Sequence, residues 1–278
     1  MAINTRNEER RLPYALRSVR PWVDEIVVVD MESEDRTVDI ARSFGAVVFS
    51  VPPMGYADPA RAFALSKCTG DWILVLDADE LVPPTLASRL RAIASGDVAD
   101  VVMIPMWNYL LGAPLMATGW GPHQDVHPRF FRRGCVSASA SIHAYLHVSR
   151  GARVVRLEAS RELSIAHFNY VDITHFIEKL NRYTSIEAES RLARGEAGSA
   201  VSALLAGGRE FLRRFFRQGG FRDGWRGYYL ALLMAAYRIV TAAKIREMRE
   251  VGTRDGVERA YLHEAELLVR EYERESSY

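Results

Sequence analysis

The sequence predicts an α/β fold in which a mostly parallel, doubly wound sheet presents a site at the carboxyl ends of its strands. Two apolar runs with the length of buried strands, Glu25 to Asp30 and Trp72 to Asp77, each end in an aspartate. Each run is followed by a polar stretch and then by a segment of helical character, and Val101 to Trp107 adds another strand. Because parallel strands end at one edge of a sheet, we expect both aspartates at that rim.

The remaining elements of this half continue the strand and helix rhythm. An amphipathic helix precedes the first aspartate strand, since its apolar side chains share one face: Leu12, Ala15, Leu16 and Val19. The later elements are a strand from Gly45 to Val51, a helix from Asp58 to Cys68 with Pro59 at its first position, and a helix from Leu81 to Ala94 that is entered through Pro83 and Pro84.

Composition excludes several classes of protein. A chain of 278 residues that is 49% hydrophobic can bury a sizeable core and hold one large domain with an appendage. A net charge of +1 gives no global attraction to nucleic acid. Two cysteines, Cys68 and Cys135, are typical of a reducing compartment. We find no signal segment and no uncharged apolar run of roughly 18 to 20 residues, so we expect a cytoplasmic protein.

The tetrapeptide from Asp77 to Glu80 is the strongest candidate for chemistry. On an extended chain, carboxylates at i and i+2 point to the same side, so Asp77 and Asp79 would converge on one hard cation. Mg²⁺ or Mn²⁺ that bridges a diphosphate suits such a pair. The alternative is a solvated, aspartate-rich strand end, because Asp-x-Asp by itself is a weak signal.

Three motifs together carry a family resemblance: Thr5 to Glu9, Glu25 to Thr37 and Trp72 to Glu80. In order and spacing they resemble the family 2 glycosyltransferases of the GT-A fold, and within that family the branch related to lipopolysaccharide-core β-glucosyltransferases. The resemblance covers nearly the whole chain. It implies an inverting, metal-dependent transfer of a hexose from a nucleotide-diphosphate sugar, by default a UDP-sugar, to a lipid-linked saccharide or lipopolysaccharide core.

The resemblance also implies roles for individual residues. Asp30 would hydrogen-bond the nucleotide base, Arg61 would lie near the diphosphate, and Asp79 with His167 would hold Mn²⁺ or Mg²⁺. Turn capping by Asp30 and a solvated Arg61 are the alternatives. The implied donor-binding set is Thr5, Asn7, Glu8, Asp30, Ser33, Arg61, Asp77, Ala78 and Asp79. The first strand would be central in the family fold, yet only Met1 to Asn4 precede Thr5, so this strand is short or the natural start lies upstream.

The acceptor half departs from the family at the general base. Where the family pattern resembles Val-His-Glu, this chain has His143 followed by Ala144. If that position supplies the general base in relatives, this chain must use another group. Asp125 and His143 are the two candidates, and His123 and His127 flank the former. Residues 109–128 read as a loop. The aromatic side chains in and just before this loop are Trp107, Tyr109 and Trp120. They suit either stacking on sugar faces or packing under the loop.

The last third of the chain is predicted to be helical. The segment from Arg209 to Glu250 contains ten basic and four acidic residues, and phenylalanines lie among the basic ones. This pattern is typical of an interfacial helix on an anionic membrane, while the alternative is a helix packed on the catalytic domain with solvated arginines. The apolar part, Tyr228 to Ala243, is short and contains Arg238, so we expect it to lie on the inner face of the membrane rather than span it.

We therefore predict a catalytic domain over residues 1–170, with a donor half 1–107 and an acceptor half 108–170, and a helical extension over 171–278. Two other functions stay open. A non-catalytic nucleotide-sugar-binding or scaffold protein would account for Ala144. A sugar-1-phosphate nucleotidyltransferase would need a glycine-rich basic loop after its first strand, whereas Asn4 to Glu9 is acidic and has no glycine.

Overall fold

The computed structural model describes residues 1–53, 58–138 and 146–275. They form two compact units, one made of Met1–Lys179 with Leu212–Ala231, the other of Leu180–Phe211 with Leu232–Tyr278. Whether residues 1–170 fold independently of the extension is a separate question, and that boundary stays a prediction.

The donor side of the sheet has four parallel strands in the order β3-β2-β1-β4. They are β1 (Ala2–Thr5), β2 (Val27–Asp30), β3 (Val47–Ser50) and β4 (Trp72–Asp77). The central strand β1 has only four residues, and all four are buried. Asn4 lies opposite Asp77 and Thr5 opposite Asp30, so both strand-end aspartates lie at one rim, beside β1.

The sheet continues from β4 through β8, β6 and β12 to β5, and here it is mixed. Strand β8 is antiparallel to both of its neighbours, whereas β12 and β11 are parallel to β6. The strands are β5 (Glu80–Leu81), β6 (Val101–Leu110), β7 (Ala113–Pro114), β8 (Val126–Arg132), β11 (Val154–Arg156) and β12 (Ile165–Phe168). A separate antiparallel pair consists of β9 (Val136–Ser137) and β10 (His147–Val148).

Helices cover both faces of the sheet, as a doubly wound fold requires. Side chains alternate along the strands, so that Ile3, Val28 and Leu76 enter one core while Ala2 and Val75 enter the other. Helices α1 (Leu12–Val19), α2 (Thr37–Ser43) and α4 (Pro84–Gly96) contribute to the first core, and α3 (Asp58–Lys67) contributes to the second. The predicted α/β fold class is confirmed.

Most predicted boundaries of the sheet and its helices lie within two residues of the structure, and two differ by three residues. The helix expected from Leu81 begins at Pro84, because Glu80 and Leu81 pair with β12 as a short strand. The strand expected to end at Trp107 continues to Leu110, because β12 and β7 supply hydrogen-bonding partners for its last residues. Residues 109–128 are consequently only partly loop, since β7 and the start of β8 lie inside them.

The chain from residue 173 onward is helical. Its elements are α5 (Ile173–Ala193), α6 (Ala200–Leu212), a π-helical turn (Arg213–Arg217), a 3₁₀ turn (Gly220–Asp223), α7 (Gly224–Glu250) and α8 (Arg254–Glu275). Helix α7 is longer than the apolar segment expected from Tyr228 to Ala243. Within the described ranges, Gly220–Glu250 is long and apolar enough to cross a membrane, which is weak evidence because buried core helices meet the same criterion.

Candidate active site

The candidate metal-binding turn joins β4 to β5. Asp77 is the last residue of β4, Ala78 and Asp79 form the turn, and Glu80 begins β5. Strand β12 runs antiparallel to β5 with His167 opposite Glu80, and the Phe168 amide donates to the Asp79 carbonyl over 2.9 Å. This pairing brings His167 Nε2 to 3.7 Å from Asp79 Oδ2. A turn therefore sets the direction of Asp79, rather than the extended chain assumed from the sequence.

Two arginines hold Asp77, the partly buried Arg61 and the buried Arg129. Its Oδ1 lies 2.9 Å from Arg61 Nη2, and its Oδ2 lies 3.4 Å from Arg129 Nη2. Burial acts to raise the pKa of the Asp77 carboxyl, but the two guanidinium groups hold that pKa well below its usual range. Both oxygens of Asp77 thus face guanidinium groups of the protein, so Asp79 is the better candidate of the two aspartates for binding a cation.

Glu80 completes this cluster beneath the turn. It is fully buried, its Oε1 accepts from Arg129 Nη2 over 2.7 Å, and its Oε2 accepts from the Asp77 amide over 2.8 Å. Burial would lower the pKa of the Arg129 guanidinium, but Glu80 and Asp77 raise it. Glu80 therefore fixes both the backbone of the turn and the arginine that neutralises Asp77.

Asp79 and His167 form a two-residue donor set for a divalent cation. Burial would raise the pKa of Asp79, but the nearby His167 lowers it when its ring is protonated, so the carboxylate is ionised. In the part of the chain that the structure describes, no group of three or more His, Cys, Asp or Glu side chains is placed to hold a metal. One carboxylate and one imidazole nevertheless fit Mn²⁺ or Mg²⁺ when diphosphate oxygens and water complete the coordination.

The candidate nucleotide pocket is built from two loops that hydrogen-bond to each other. Ser33 donates two hydrogen bonds to the Asp30 carboxylate, from its backbone amide over 2.9 Å and from its hydroxyl over 2.5 Å. The backbone amide of Asn7 donates to Ser33 Oγ over 2.8 Å. The Glu8 amide donates to Thr37 Oγ1 over 2.7 Å. Asp30 therefore caps a turn, the alternative considered from the sequence, while its carboxylate oxygens retain lone pairs for a ligand.

Two polar side chains beside these loops are withdrawn from solvent, Thr5 fully and Glu8 in part. Thr5 Oγ1 is buried without a hydrogen-bond partner among the described residues, and a buried hydroxyl of this kind is usually satisfied by a bound molecule or water. Burial raises the pKa of Glu8 to about 6, and the nearby Asp79 carboxylate adds to this effect. Residue Asn7 has a positive φ of 54°, which asparagine tolerates better than most residues.

Across the rim, Asp125 is held on two sides. Asn108 Nδ2 donates to Asp125 Oδ2 over 2.7 Å, and His127 Nε2 lies 2.6 Å from Asp125 Oδ1. Burial would raise the pKa of Asp125, but the hydrogen bond and charge of His127 lower it. Asn108 also accepts from His167, since its Oδ1 lies 2.7 Å from His167 Nδ1. Hydrogen bonds thus join His167, Asn108 and Asp125, and Asp79 lies 3.7 Å from the other nitrogen of His167.

Comparison with known proteins identifies the family of the domain that carries this site. Residues 2–134 match the sequence model described as Glycosyl transferase family 2. They form a family 2 glycosyltransferase domain. The chain is 28% identical over 268 residues to the lipopolysaccharide core biosynthesis glycosyltransferase LpsC of Rhizobium meliloti, covering 92% of this chain and 95% of LpsC. It is 28% identical to an uncharacterized glycosyltransferase of Rickettsia typhi, covering 88% and 86% of the two chains.

A solved structure supports the fold of the glycosyltransferase. The S. aureus TarS structure in complex with UDP-GlcNAc superimposes with a TM-score of 0.50 at 17% identity, covering 90% of this chain and 91% of that chain. At this identity the likeness concerns the fold alone. The GT-A assignment made from the sequence motifs is therefore confirmed.

The glycosyltransferase brings most of the predicted site residues to one rim. The candidate base His143 and the neighbouring Ala144 lie outside the described residues. Three contributors were not selected from the sequence as site residues: Asn108, Glu80 and Arg129. An asparagine inside an apolar strand and an arginine before two phenylalanines were the available signals, because a polar side chain in a buried strand needs a partner.

The predicted aromatic side chains of the acceptor half lie in different surroundings. Tyr109 stacks on Phe168 with ring centroids 4.9 Å apart. Trp120 lies under Arg214, whose guanidinium carbon is 4.5 Å from the ring centroid. Both rings are partly buried, so packing accounts for much of their surface.

Proposed function

We propose that the protein is an inverting, metal-assisted hexosyltransferase that uses a nucleotide-diphosphate sugar, by default a UDP-sugar, and transfers the hexose to a hydroxyl of a lipid-linked saccharide or lipopolysaccharide core. The observation that carries the proposal is the set of contacts from Asp79 to Asp125: an ion-pair distance of 3.7 Å to His167, followed by hydrogen bonds from His167 to Asn108 and from Asn108 to Asp125, which hold a donor-side and an acceptor-side carboxylate at one rim. The likeness to LpsC supports the acceptor class.

On the donor side, cationic groups meet the diphosphate. Arg61 lies at the rim beside Asp77, where a guanidinium would pair well with phosphate oxygens, while the buried Arg129 holds Asp77 from below. Asp79 and His167 would hold a divalent cation, which supplies neutralisation of the negative charge on the leaving diphosphate when bound. Thr5, Asn7, Glu8, Asp30 and Ser33 would bind the nucleoside, with the buried Thr5 hydroxyl as the group that most needs a partner.

On the acceptor side, Asp125 takes the proton of the attacking hydroxyl. The carboxylate is ionised because His127 and Asn108 stabilise its charge, and it remains partly exposed for an incoming sugar. Bond formation from the hydroxyl oxygen to the anomeric carbon and departure of the nucleoside diphosphate then occur on opposite faces of the sugar, which inverts the configuration. His143 is the alternative base, with the ranking decided by substitution.

We also propose that the enzyme binds the inner face of the cytoplasmic membrane through residues near the acceptor loop, defined as residues 111–125. Asp223 accepts hydrogen bonds from the Met116 and Ala117 amides and from Thr118 Oγ1, at 2.9, 3.1 and 2.6 Å. Arg226 Nε donates to the Leu111 carbonyl over 2.9 Å. The segment Leu212–Ala231 is thereby fastened to this loop.

This segment combines exposed aromatic rings with basic charge. We call its exposed rings the aromatic surface: Phe216, Phe221, Trp225 and Tyr229, each at least half exposed. Between residues 212 and 231 there are five arginines and one acidic residue, Asp223, which is engaged with the acceptor loop. Aromatic rings beside arginines suit the headgroup region of an anionic bilayer. A lipid-linked acceptor would then meet the catalytic rim next to its own membrane.

A donor panel tests the proposal without knowledge of the acceptor. Purified protein is incubated with UDP-, GDP- and dTDP-sugars, with and without Mn²⁺, and release of the nucleoside diphosphate is measured beside the Asp79→Ala variant. We expect slow, metal-dependent hydrolysis of one donor class, absent in the variant. A binding or scaffold protein would retain a donor without hydrolysing it. A nucleotidyltransferase would instead form a sugar nucleotide from a sugar 1-phosphate and a nucleoside triphosphate.

A further inference from the structure

Asn108 joins the two halves of the site through the register of the sheet. Strands β6 and β12 are parallel, and the Cα atoms of Asn108 and His167 lie opposite each other. Their side chains therefore emerge on the same face, where Asn108 Oδ1 lies 2.7 Å from His167 Nδ1. Asn108 is fully buried, so each polar atom of its amide needs a partner.

Both hydrogens of the Asn108 side-chain amide are donated, and this determines the orientation of the amide. Nδ2 donates one hydrogen to Asp125 Oδ2 over 2.7 Å and the other to the Trp120 carbonyl over 2.8 Å. The reverse orientation would place the amide oxygen against a carboxylate and a carbonyl, which have no hydrogen to donate. Oδ1 must therefore face His167 and act as an acceptor.

A fixed amide in turn fixes the histidine. Because Asn108 Oδ1 only accepts, His167 Nδ1 must carry a hydrogen, and the neutral ring then has its lone pair on Nε2. Nε2 is the atom that lies 3.7 Å from Asp79 Oδ2. Hydrogen bonds of this kind to the far nitrogen of a histidine orient the ring for metal binding.

We propose that Asn108 is a positioning residue that orients the donor-side His167 and the acceptor-side Asp125 with a single amide. The inference rests on the proposed function, since it gives these two residues their tasks. Its consequence is that the pairing of β6 with β12 places Asn108 opposite His167, and the hydrogen bond from Asn108 then fixes Asp125, at the end of the acceptor loop, relative to the metal-binding end.

Two substitutions separate the two sides of the amide. Asn108→Leu keeps the approximate volume and removes every hydrogen bond. Asn108→Asp keeps an oxygen that accepts from His167 Nδ1, but it places a carboxylate against Asp125 and the Trp120 carbonyl. Asn169→Leu, two residues beyond His167 and outside these hydrogen bonds, serves as the control for replacing an asparagine at this end of the sheet.

The first measurement needs neither metal nor substrate. The tautomer of His167 is determined by ¹⁵N NMR of selectively labelled apoprotein at alkaline pH, with His167→Gln used for assignment. We expect a protonated Nδ1 in the wild type, in Asn108→Asp and in Asn169→Leu, and a shift towards protonated Nε2 in Asn108→Leu. An Nε2 tautomer in the wild type, or an unchanged tautomer in Asn108→Leu, would overturn the inference.

The second measurement is the affinity for Mn²⁺ in the presence of UDP, together with donor hydrolysis and transfer. Asn108→Leu should lose roughly 10- to 100-fold in Mn²⁺ affinity, as is usual when the partner of a metal-binding histidine is removed. Asn108→Asp should keep Mn²⁺ affinity and donor hydrolysis within a few-fold while transfer falls. A purely structural role would lower the melting temperature of both variants without this split, and that result would also overturn the inference.

Failure of the proposed function gives a different result. If the wild type neither hydrolyses nor transfers any sugar, the function is wrong, yet the tautomer measurement still decides whether Asn108 orients His167. If the wild type is active and Asn108→Leu matches it in tautomer, affinity and transfer, the function stands and the role of Asn108 is rejected.

Discussion

Arg129 Nη2 lies 2.7 Å from Glu80 Oε1, and both residues are buried below the metal-binding turn. They are 49 residues apart in the chain, one at the start of β5 and the other in β8. The pair fixes the turn that carries Asp79, since Glu80 also accepts from the Asp77 amide. The stability of this ion pair is therefore coupled to the position of Asp79 in the site.

Breaking this pair should destabilise the protein. Arg129→Met leaves the Glu80 carboxylate buried without its partner and should cost about 3 to 5 kcal/mol of unfolding free energy. The double variant Arg129→Met with Glu80→Leu should recover most of that loss, because the Glu80 charge is removed with its partner and Arg61 still pairs with Asp77. Urea denaturation measures both. A double variant no more stable than Arg129→Met would contradict the pairing as the cause.

Asp79→Ala should abolish transfer and metal-dependent donor hydrolysis while the protein stays folded, because the substitution removes a rim ligand and little core volume. His167→Ala should weaken Mn²⁺ affinity less severely. Asp71→Ala, an exposed aspartate at the other end of β4, is the matched control and should behave as wild type. Isothermal titration with Mn²⁺ and UDP measures affinity. Unchanged metal dependence in Asp79→Ala would rule out the assignment.

Asp125→Asn should reduce transfer by roughly 10² to 10⁴-fold with nearly unchanged donor affinity, because the amide keeps the shape and cannot accept a proton. His143→Gln should have a much smaller effect. Single-turnover transfer measures both. The reverse ranking would assign the role to His143, and the acidic limb of the pH profile should then follow an imidazole with a pKa of about 6.5.

Glu8→Gln should stabilise the ligand-free protein at pH 7.5 and leave it unchanged at pH 4. Burial raises the Glu8 pKa from 4.5 to about 6, so the folded state resists ionisation that the unfolded state accepts. The resulting loss of unfolding free energy is absent below the pKa of Glu8 in the unfolded chain. It develops as pH rises from 4.5 to 6 and reaches about 2 kcal/mol at most. Denaturation at both pH values measures it. Equal stability of the two proteins at pH 7.5 would contradict a buried Glu8.

The protein should bind vesicles that contain anionic lipid, and binding should fall as salt rises, because the Debye length is only about 10 Å at 0.1 M. Replacing the exposed Arg217 and Arg222 by serine should weaken binding roughly 30-fold, at about 1 kcal/mol for each charge. The same replacement of Arg89 and Arg91 on α4 is the control. Vesicle flotation measures binding. Equal binding to neutral vesicles would argue against the basic surface.

Local pattern determined most of the fold. The apolar runs that end at Asp30 and Asp77 became the parallel strands β2 and β4, and the periodicity of Leu12 to Val19 became helix α1, because burial of one face leaves its period in the sequence. Three motifs of a few residues each also located the donor side of the site. These are features that neighbouring residues specify by themselves.

Tertiary structure decided the chemistry of the rim. Glu80 is a strand residue only because β12 pairs with it, and Asp77 forms ion pairs with Arg61 and Arg129. Asn108 contacts His167 because the register of β6 and β12 places them opposite each other. Asp223 likewise meets Thr118 across 105 residues. Such partners leave no periodic signal, because the free energy of a buried polar contact depends on which distant strand or loop arrives opposite it, and only the folded chain determines that.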